Sequence, residues 1–529
     1  MEKESIDSVK RLQGTGSSNN VSAVREKAAG AMKWSFVAQL VNKLVSPLTQ
    51  IVLAHILAPD AFGVVATITM VTTFSQTLAD AGFQKYLIQH EFKTPAELYR
   101  CCSVAFWSNF IIALSIWVIV VLFREQVAFF AGSPDAGDAL AIACFSLPLN
   151  SFISVQMAIC QRFFDFRRIF KVKLASALLM ALIAIPAALF GFDYWSLVIG
   201  TLASDVCTAL LLFCKSNWRP RLFYRLSILR SMLSFGLWSL SEAVVLWAIS
   251  WVGVFIIGSA MSPYYLGIYK NSVSITNNLL SVIESSIMPV FYSGVSRLQT
   301  DQNALRSFFY TTQRALALFL LPVACGVVLL SDLVVVVLLG SQWLEGNDLI
   351  KWLAPMLSFR MLFCYMGNQT LRAIGKPSLI SFIGCIYLIF YIPYLYYCAS
   401  LPFETFSVLV PCGYAPLILV ELVALWKFVG LSPFQMFRGL IPIALNCVAP
   451  SISVLAVLYF HDSVATQLLC VLLFAFIYFI STSCFENTRK VLQSCLGSLG
   501  PRPIVAKVNR LINAVANLVS KISGQKKDK

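Results

Sequence analysis

Charge is scarce in this chain. Asp, Glu, Lys and Arg make up 12% of its 529 residues, while 58% are hydrophobic. Soluble domains carry about 25% charged residues, so this balance cannot clothe a water-facing surface. Histidine is scarcer still. His55, His90 and His461 lie far apart and suggest no metal site. The 15 cysteines are scattered, mostly inside apolar stretches, with no C-x-x-C pair. They give neither zinc-type spacing nor a disulfide framework and read as small buried residues. The motifs G-x-x-x-x-G-K-[ST], H-E-x-x-H and G-x-S-x-G are missing, which removes P-loop, zincin and nucleophile-elbow chemistry. The chain therefore reads as no enzyme and as needing no cofactor; any active transport would draw on a gradient, of protons or sodium ions for example. No apolar segment precedes Trp34, and the first thirty residues are polar, with a Gly/Ser/Asn patch at 14–20. The expectation is that no signal is cleaved and that the first membrane helix directs insertion.

What the chain has is apolar length. Predominantly apolar runs of 18 to 25 residues recur, enough to cross a hydrocarbon core of roughly 30 Å at about 1.5 Å per residue. The ten-residue alternation of a membrane β-barrel is not seen. The fold class expected is an all-α polytopic membrane protein with about fourteen transmembrane helices, at 34–57, 63–84, 101–123, 138–161, 170–190, 194–214, 232–258, 265–292, 313–339, 347–371, 379–399, 406–429, 440–460 and 464–485. Alternating connections test this register. One set carries 20 Lys and Arg residues, from Lys85 to Arg438, and the other only Arg124. By the positive-inside rule the basic set and both termini are cytoplasmic. The net charge of +15 is thus a matter of topology, and nucleic acid is not a partner.

Two stretches echo each other. Pro59-x-x-Phe62-Gly63 leads from one apolar segment into another studded with polar residues, and Pro263-x-x-Leu266-Gly267 does the same 204 residues later. The offset covers six spans. An even number keeps both halves pointing the same way, so the expected symmetry is a parallel pseudo-twofold. This gives a cytoplasmic tail at 1–33, an N-terminal lobe at 34–214, a cytoplasmic linker at 215–231, a C-terminal lobe at 232–430, two extra spans within 440–485 and a basic tail at 486–529. In that tail Ile504, Val508, Leu511, Val515, Leu518 and Ile522 fall at helical spacing. An amphipathic helix on the anionic inner leaflet is expected, or a partner contact.

Polar residues within spans are costly and face a bundle interior or an aqueous cavity. Gln39, Asn42 and Lys43 recur on the first span; Thr69, Thr72, Thr73, Gln76 and Asp80 on the second; Lys270, Asn271, Ser274, Asn277, Asn278, Ser281, Glu284 and Ser285 on the eighth. Lone Ser and Thr can serve helix packing. A stripe of eight asks for more. The cavity candidates are Lys43, Arg360, Lys270, Gln39, Asn42, Asn277 and Asn278. Those for a coupling ion or a gate are Glu242, Glu284, Asp205 and Asp80. Asp80, Lys270 and Glu421 lie near enough to an interface to snorkel or cap. Cations facing a cavity suit an anionic cargo such as a pyrophosphate, because a guanidinium grips phosphate with two parallel hydrogen bonds.

The runs Gly30-Ala31-Met32-Lys33-Trp34, Ile56-Leu57-Ala58-Pro59-Asp60-Ala61-Phe62-Gly63 and Asp80-Ala81-Gly82-Phe83 with Leu87-Ile88 resemble the opening of Wzx-type polysaccharide flippases. These belong to the multidrug/oligosaccharidyl-lipid/polysaccharide exporter superfamily. Ser262-Pro263-x-x-Leu266-Gly267-x-Tyr269 with Pro289-Val290-Phe291, and Arg372-Ala373-x-Gly375-Lys376-Pro377, extend the resemblance over roughly 28–430. It implies two six-helix lobes in a V, alternating access about a cationic cavity, and an undecaprenyl-diphosphate-linked oligosaccharide as cargo in a bacterial inner membrane. Membrane lipids and polysaccharide polymerase or export machinery are the implied partners. An ion-coupled multidrug antiporter of the same superfamily is the alternative. A membrane polysaccharide polymerase or ligase fits poorly with outward connections this short.

Overall fold

The computed structural model describes residues 45–499, apart from 215, 217 and 461–462, together with a few positions between 509 and 517. No strand occurs among the described residues. In chain order the spans are α1 (Val45–Ile56), α2 (Pro59–Asp80), α3 (Pro95–Leu122), α4 (Pro134–Ala143 and Ser146–Arg162, bent by 40°), α5 (Phe166–Leu189), α6 (Tyr194–Cys214), α7 (Leu226–Ala260), α8 (Pro263–Arg297), α9 (Gln302–Leu329), α10 (Ser341–Ala373), α11 (Ser378–Ala399), α12 (Phe403–Val429), α13 (Pro433–Phe460) and α14 (Val464–Cys484). Twelve of these are long and apolar enough to cross a membrane, thirteen with the bent pair. The protein is thus a polytopic all-helical membrane protein. Of the first of the fourteen expected helices only α1 is described, too short for a full span. The amphipathic stripe from Ile504 to Ile522 falls outside the described residues.

Local chemistry sets the helix ends. Pro59, Pro95 and Pro433 open α2, α3 and α13, where the missing N–H costs nothing. Thr94 caps α3 by accepting from the Glu97 amide, while the Glu97 carboxylate accepts from the Lys93 amide at 2.8 Å. Asp301 caps α9 through the Asn303 and Ala304 amides. Ala81 (φ 42°) and Gly82 (φ 80°) end α2 in the left-handed region. α7 begins at Leu226, ahead of the expected 232.

The chain forms two compact units, Met1–Lys270 and Asn271–Lys529. The division falls inside α8 rather than in the linker at 215–231, because α7 packs along α2. Phe74 and Trp247 rings meet at 4.6 Å, and Trp247 Nε1 donates to Thr73 Oγ1. Within the first unit the two Pro-x-x-[Phe/Leu]-Gly corners touch. A Cβ on Gly63 would come 1.9 Å from the Pro263 carbonyl oxygen, and one on Gly267 would come 1.9 Å from the Pro59 carbonyl oxygen. The contact is reciprocal, as a pseudo-twofold demands. In the second unit α13 and α14 pack on the short helix Ser331–Leu338 through Leu333, Val454, Cys470 and Phe474.

Candidate functional site

The second unit holds a cation without a carboxylate. α10 carries a π-helical turn, Met361–Tyr365, immediately after Arg360. Such turns re-aim side chains and occur often at functional sites. The Arg360 Nη2 donates to Asn277 Oδ1 at 3.3 Å and approaches the Tyr365 hydroxyl at 3.4 Å. Asn277 is oriented for this, since its Nδ2 donates to the Val273 carbonyl. The guanidinium also stands over the rings of Tyr365 and Tyr414, at 5.4 and 4.9 Å from their centroids. Tyr414 stacks in turn on Tyr391, and Tyr391 on Tyr387. The three ion pairs among the described residues do not involve Arg360, and its Nε is buried with no hydrogen-bond partner. Ring faces and an amide oxygen offset part of the desolvation. They leave the positive charge uncancelled and part of the guanidinium fork unused, which is the chemistry of an anion site.

The first unit holds a polar cavity of about 430 Å³, lined by α2, α3, α4 and α7. Thr73, Gln76, Asp80, Lys85, Asn109 and Asn150 face it. Asp80 is no mere interfacial cap: it accepts from Ser154 Oγ at 2.8 Å. Lys85 pairs with Glu242 at 3.3 Å. By contrast, the Thr67, Thr69, Thr72, Thr73 and Thr77 hydroxyls bond to carbonyls three or four residues back in their own helix. The ladder on α2 is therefore mostly self-satisfied, with Gln76 and Asp80 left to the cavity. The Lys85–Glu242 side chains are 50% and 24% exposed, so their coupling is expected to stay below about 1 kcal/mol. A double-mutant cycle of Lys85→Ala and Glu242→Ala, read by thermal unfolding, checks this.

The remaining candidates separate. Lys270 lies 3.7 Å from the centroid of the Trp251 ring, a cation–π contact in place of a carboxylate partner. Glu284, Asp205 and Asn278 are half-buried. Lys43, Gln39 and Asn42 lie outside the described residues. Glu421, expected to snorkel, is instead 1% exposed and faces Gly367, where a Cβ would meet its Oε1. Sequence reasoning missed Tyr365 and Tyr414. The break before Tyr414 was written in Pro411-Cys412-Gly413, whereas the π turn that places Tyr365 leaves no periodic trace.

An apolar groove of about 740 Å³ runs between α8, α9 and α14, lined by residues such as Leu279, Phe319, Pro322, Val323, Val471 and Phe474. Polar groups are nearly confined to Tyr478 and Thr482, and the Tyr478 hydroxyl is already spent on the Leu318 carbonyl.

A family described as polysaccharide biosynthesis protein matches residues 52–347, more than half of the chain. The chain belongs to this family. It is 26% identical over 323 residues to the succinoglycan biosynthesis transport protein ExoT of Rhizobium meliloti (strain 1021), covering 61% of this chain and 64% of that one. It is 21% identical over 357 residues to the lipopolysaccharide biosynthesis protein WzxC of Escherichia coli (strain K12), covering 67% and 69%. The chain thus spans about two thirds of the length of these relatives. Among solved structures, the lipid II flippase MurJ in an inward closed conformation superposes with a TM-score of 0.67 at 14% identity, over 85% of this chain and 98% of that one. An inward-facing multidrug resistance MATE family transporter of the MOP superfamily reaches 0.56 at 13% identity, over 76% and 94%. At such identities the likeness is one of fold.

Proposed function

We propose that this protein is a flippase that carries a polyprenyl-diphosphate-linked oligosaccharide from the inner to the outer leaflet of a bacterial inner membrane, for exopolysaccharide, capsule or O-antigen export. The observation that carries the reading is Arg360: a guanidinium within a membrane helix, without a carboxylate, with donors to spare. Holding a charge there costs several kcal/mol unless a counter-charge arrives, and a diphosphate supplies one. The apolar groove along α14 offers a polyprenyl chain a path beside the bundle while the sugar occupies polar space. The expected lobes, 34–214 and 232–430, would rock about the pseudo-twofold, with both termini cytoplasmic and Asp80 among the candidates for a coupling ion.

The likeness in fold to a multidrug transporter favours a second reading, an antiporter of organic cations. An uncancelled arginine opposes it, because like charges repel in a medium of low dielectric. The test is transfer of a fluorescent polyprenyl-diphosphate oligosaccharide across liposomes containing the purified protein, read by quenching of the exposed leaflet. Transfer well above that of empty liposomes is expected. Efflux of a cationic dye with no transfer of the lipid-linked sugar would overturn the proposal in favour of the antiporter.

A further inference from the structure

A second cationic pocket does not include Arg360 or its contacts Asn277, Tyr365 and Tyr414 among its lining residues. It has a volume of about 580 Å³ and is formed by α9, α13 and the helix Glu486–Leu499, which follows α14. Each element contributes one cation: Arg314, Arg438 and Lys490. None of the lining residues is acidic. The nearby Glu486 is exposed and held by Lys490 at 2.6 Å, which lowers its pKa below the usual carboxylate value. Among the described residues Arg314 and Arg438 have neither an ion pair nor a hydrogen bond. The Tyr310 hydroxyl accepts from the Ser432 amide at 2.8 Å, so its own proton is free to donate into the pocket. The approach of Arg314 depends on Gly439. A Cβ there would come 2.8 Å from the Arg314 Nε, so a side chain at 439 would push the guanidinium off its path across α13.

We infer that this pocket binds a phosphate group. Two unpaired guanidinium forks line one cavity with a phenol at its wall, beside the Lys490 ammonium that Glu486 holds. Planar forks bind phosphate oxygens two at a time. Basic pockets between membrane helices suit the headgroups of anionic lipids, and a soluble phosphate offers the same chemistry. The site is separate from the cargo reading and does not need it: Arg360 can be lost with the pocket intact.

The experiment uses the full chain purified in detergent, with four probes: phosphatidylglycerol, cardiolipin, phosphatidylcholine and inorganic phosphate. Thermal unfolding and native mass spectrometry of retained lipid are the readouts. The anionic lipids are expected to raise Tm and to be retained, phosphatidylcholine much less, and the Arg314→Ala/Arg438→Ala variant to bind at least about ten-fold more weakly. A shift with the anionic lipids identifies a headgroup as the source; a shift with inorganic phosphate alone identifies a soluble phosphate. Either supports the site. Should the double alanine variant fail to fold, Arg314→Lys/Arg438→Lys keeps the charge but loses the forks and is expected to bind at intermediate strength, while Gly439→Val displaces Arg314 alone. Loss of probe binding in Arg360→Ala with the pocket variants unaffected would place the phosphate at the cargo site and overturn the inference. Equal binding by the parent and the pocket variants, or no shift with any phosphate-bearing probe, overturns the inference.

Discussion

Arg360→Ala is expected to cut transfer of a lipid-linked sugar by about ten- to a hundred-fold, the equivalent of one charge-assisted hydrogen-bonded contact of roughly 1.5–3 kcal/mol. The loss should appear mainly as weaker binding, since the guanidinium is proposed to hold the diphosphate rather than to react with it. Arg360→Lys restores the charge but not the shape. An ammonium cannot grip two oxygens in parallel, and it lacks the planar π face of the guanidinium that stands 4.9 Å from the Tyr414 centroid, so partial recovery is expected. Asn277→Leu removes the amide oxygen that accepts from Nη2 and should cost less than Arg360→Ala, because the cation survives. The protein itself should become no less stable in Arg360→Ala, since an unpaired charge leaves the membrane-spanning region. Reduced transport with unchanged unfolding is the signature sought. Full transport by Arg360→Ala would remove the anion site from the mechanism.

The fold was largely readable because it rests on signals that a linear chain carries. Apolar length marks spans, and the two Pro-x-x-[Phe/Leu]-Gly corners, alike in sequence, meet in the structure. Arg360 and Asn277 could be singled out because polar groups in apolar segments stand out. Their meeting could not: they are 83 residues apart in the chain, and a helical stripe gives an azimuth without giving the helix it faces. The same limit explains Glu421. Distance from the end of a span suggested an interfacial group, yet burial depends on what packs outside, and the side-chain-free Gly367 makes room for it. The threonines on α2 misled in the opposite direction. A hydroxyl bonded to its own helix, as in Thr69 at 2.7 Å from the Val65 carbonyl, leaves the same sequence pattern as one lining a channel. The division at residue 270 follows from Trp247 and Gly236 packing on α2 and its end, contacts that no repeat offset encodes.

Gly63→Ala and Gly267→Ala are each expected to lower transport by about ten-fold or more, and the pair together by little more than either alone. The reason lies in the reciprocal corner. Each Cβ would stand 1.9 Å from a proline carbonyl oxygen of the opposite corner, and the obstacle is backbone, which cannot rotate aside as a side chain can. The two helix starts must therefore separate by more than about 1 Å to reach ordinary van der Waals distance. Small residues let helices approach this closely within a membrane, where dispersion replaces the hydrophobic drive. If the lobes rock about the pseudo-twofold, closure of the Pro59 and Pro263 corners is one end-state of the cycle, and a methyl at either glycine removes it. One methyl suffices to open the contact, so a second finds the space already made; neighbouring sites that share a partner are not additive. Gly137→Ala is the control, because the Cβ it would gain meets Arg124 only at 3.4 Å, an ordinary van der Waals distance, and it should transport like the parent. Transport by reconstituted protein, with unfolding monitored in parallel, separates the outcomes. Parent-like rates in both Gly63→Ala and Gly267→Ala would show that the closed corner is no part of the cycle, and independent, multiplying losses would show that the two glycines do not act through one contact.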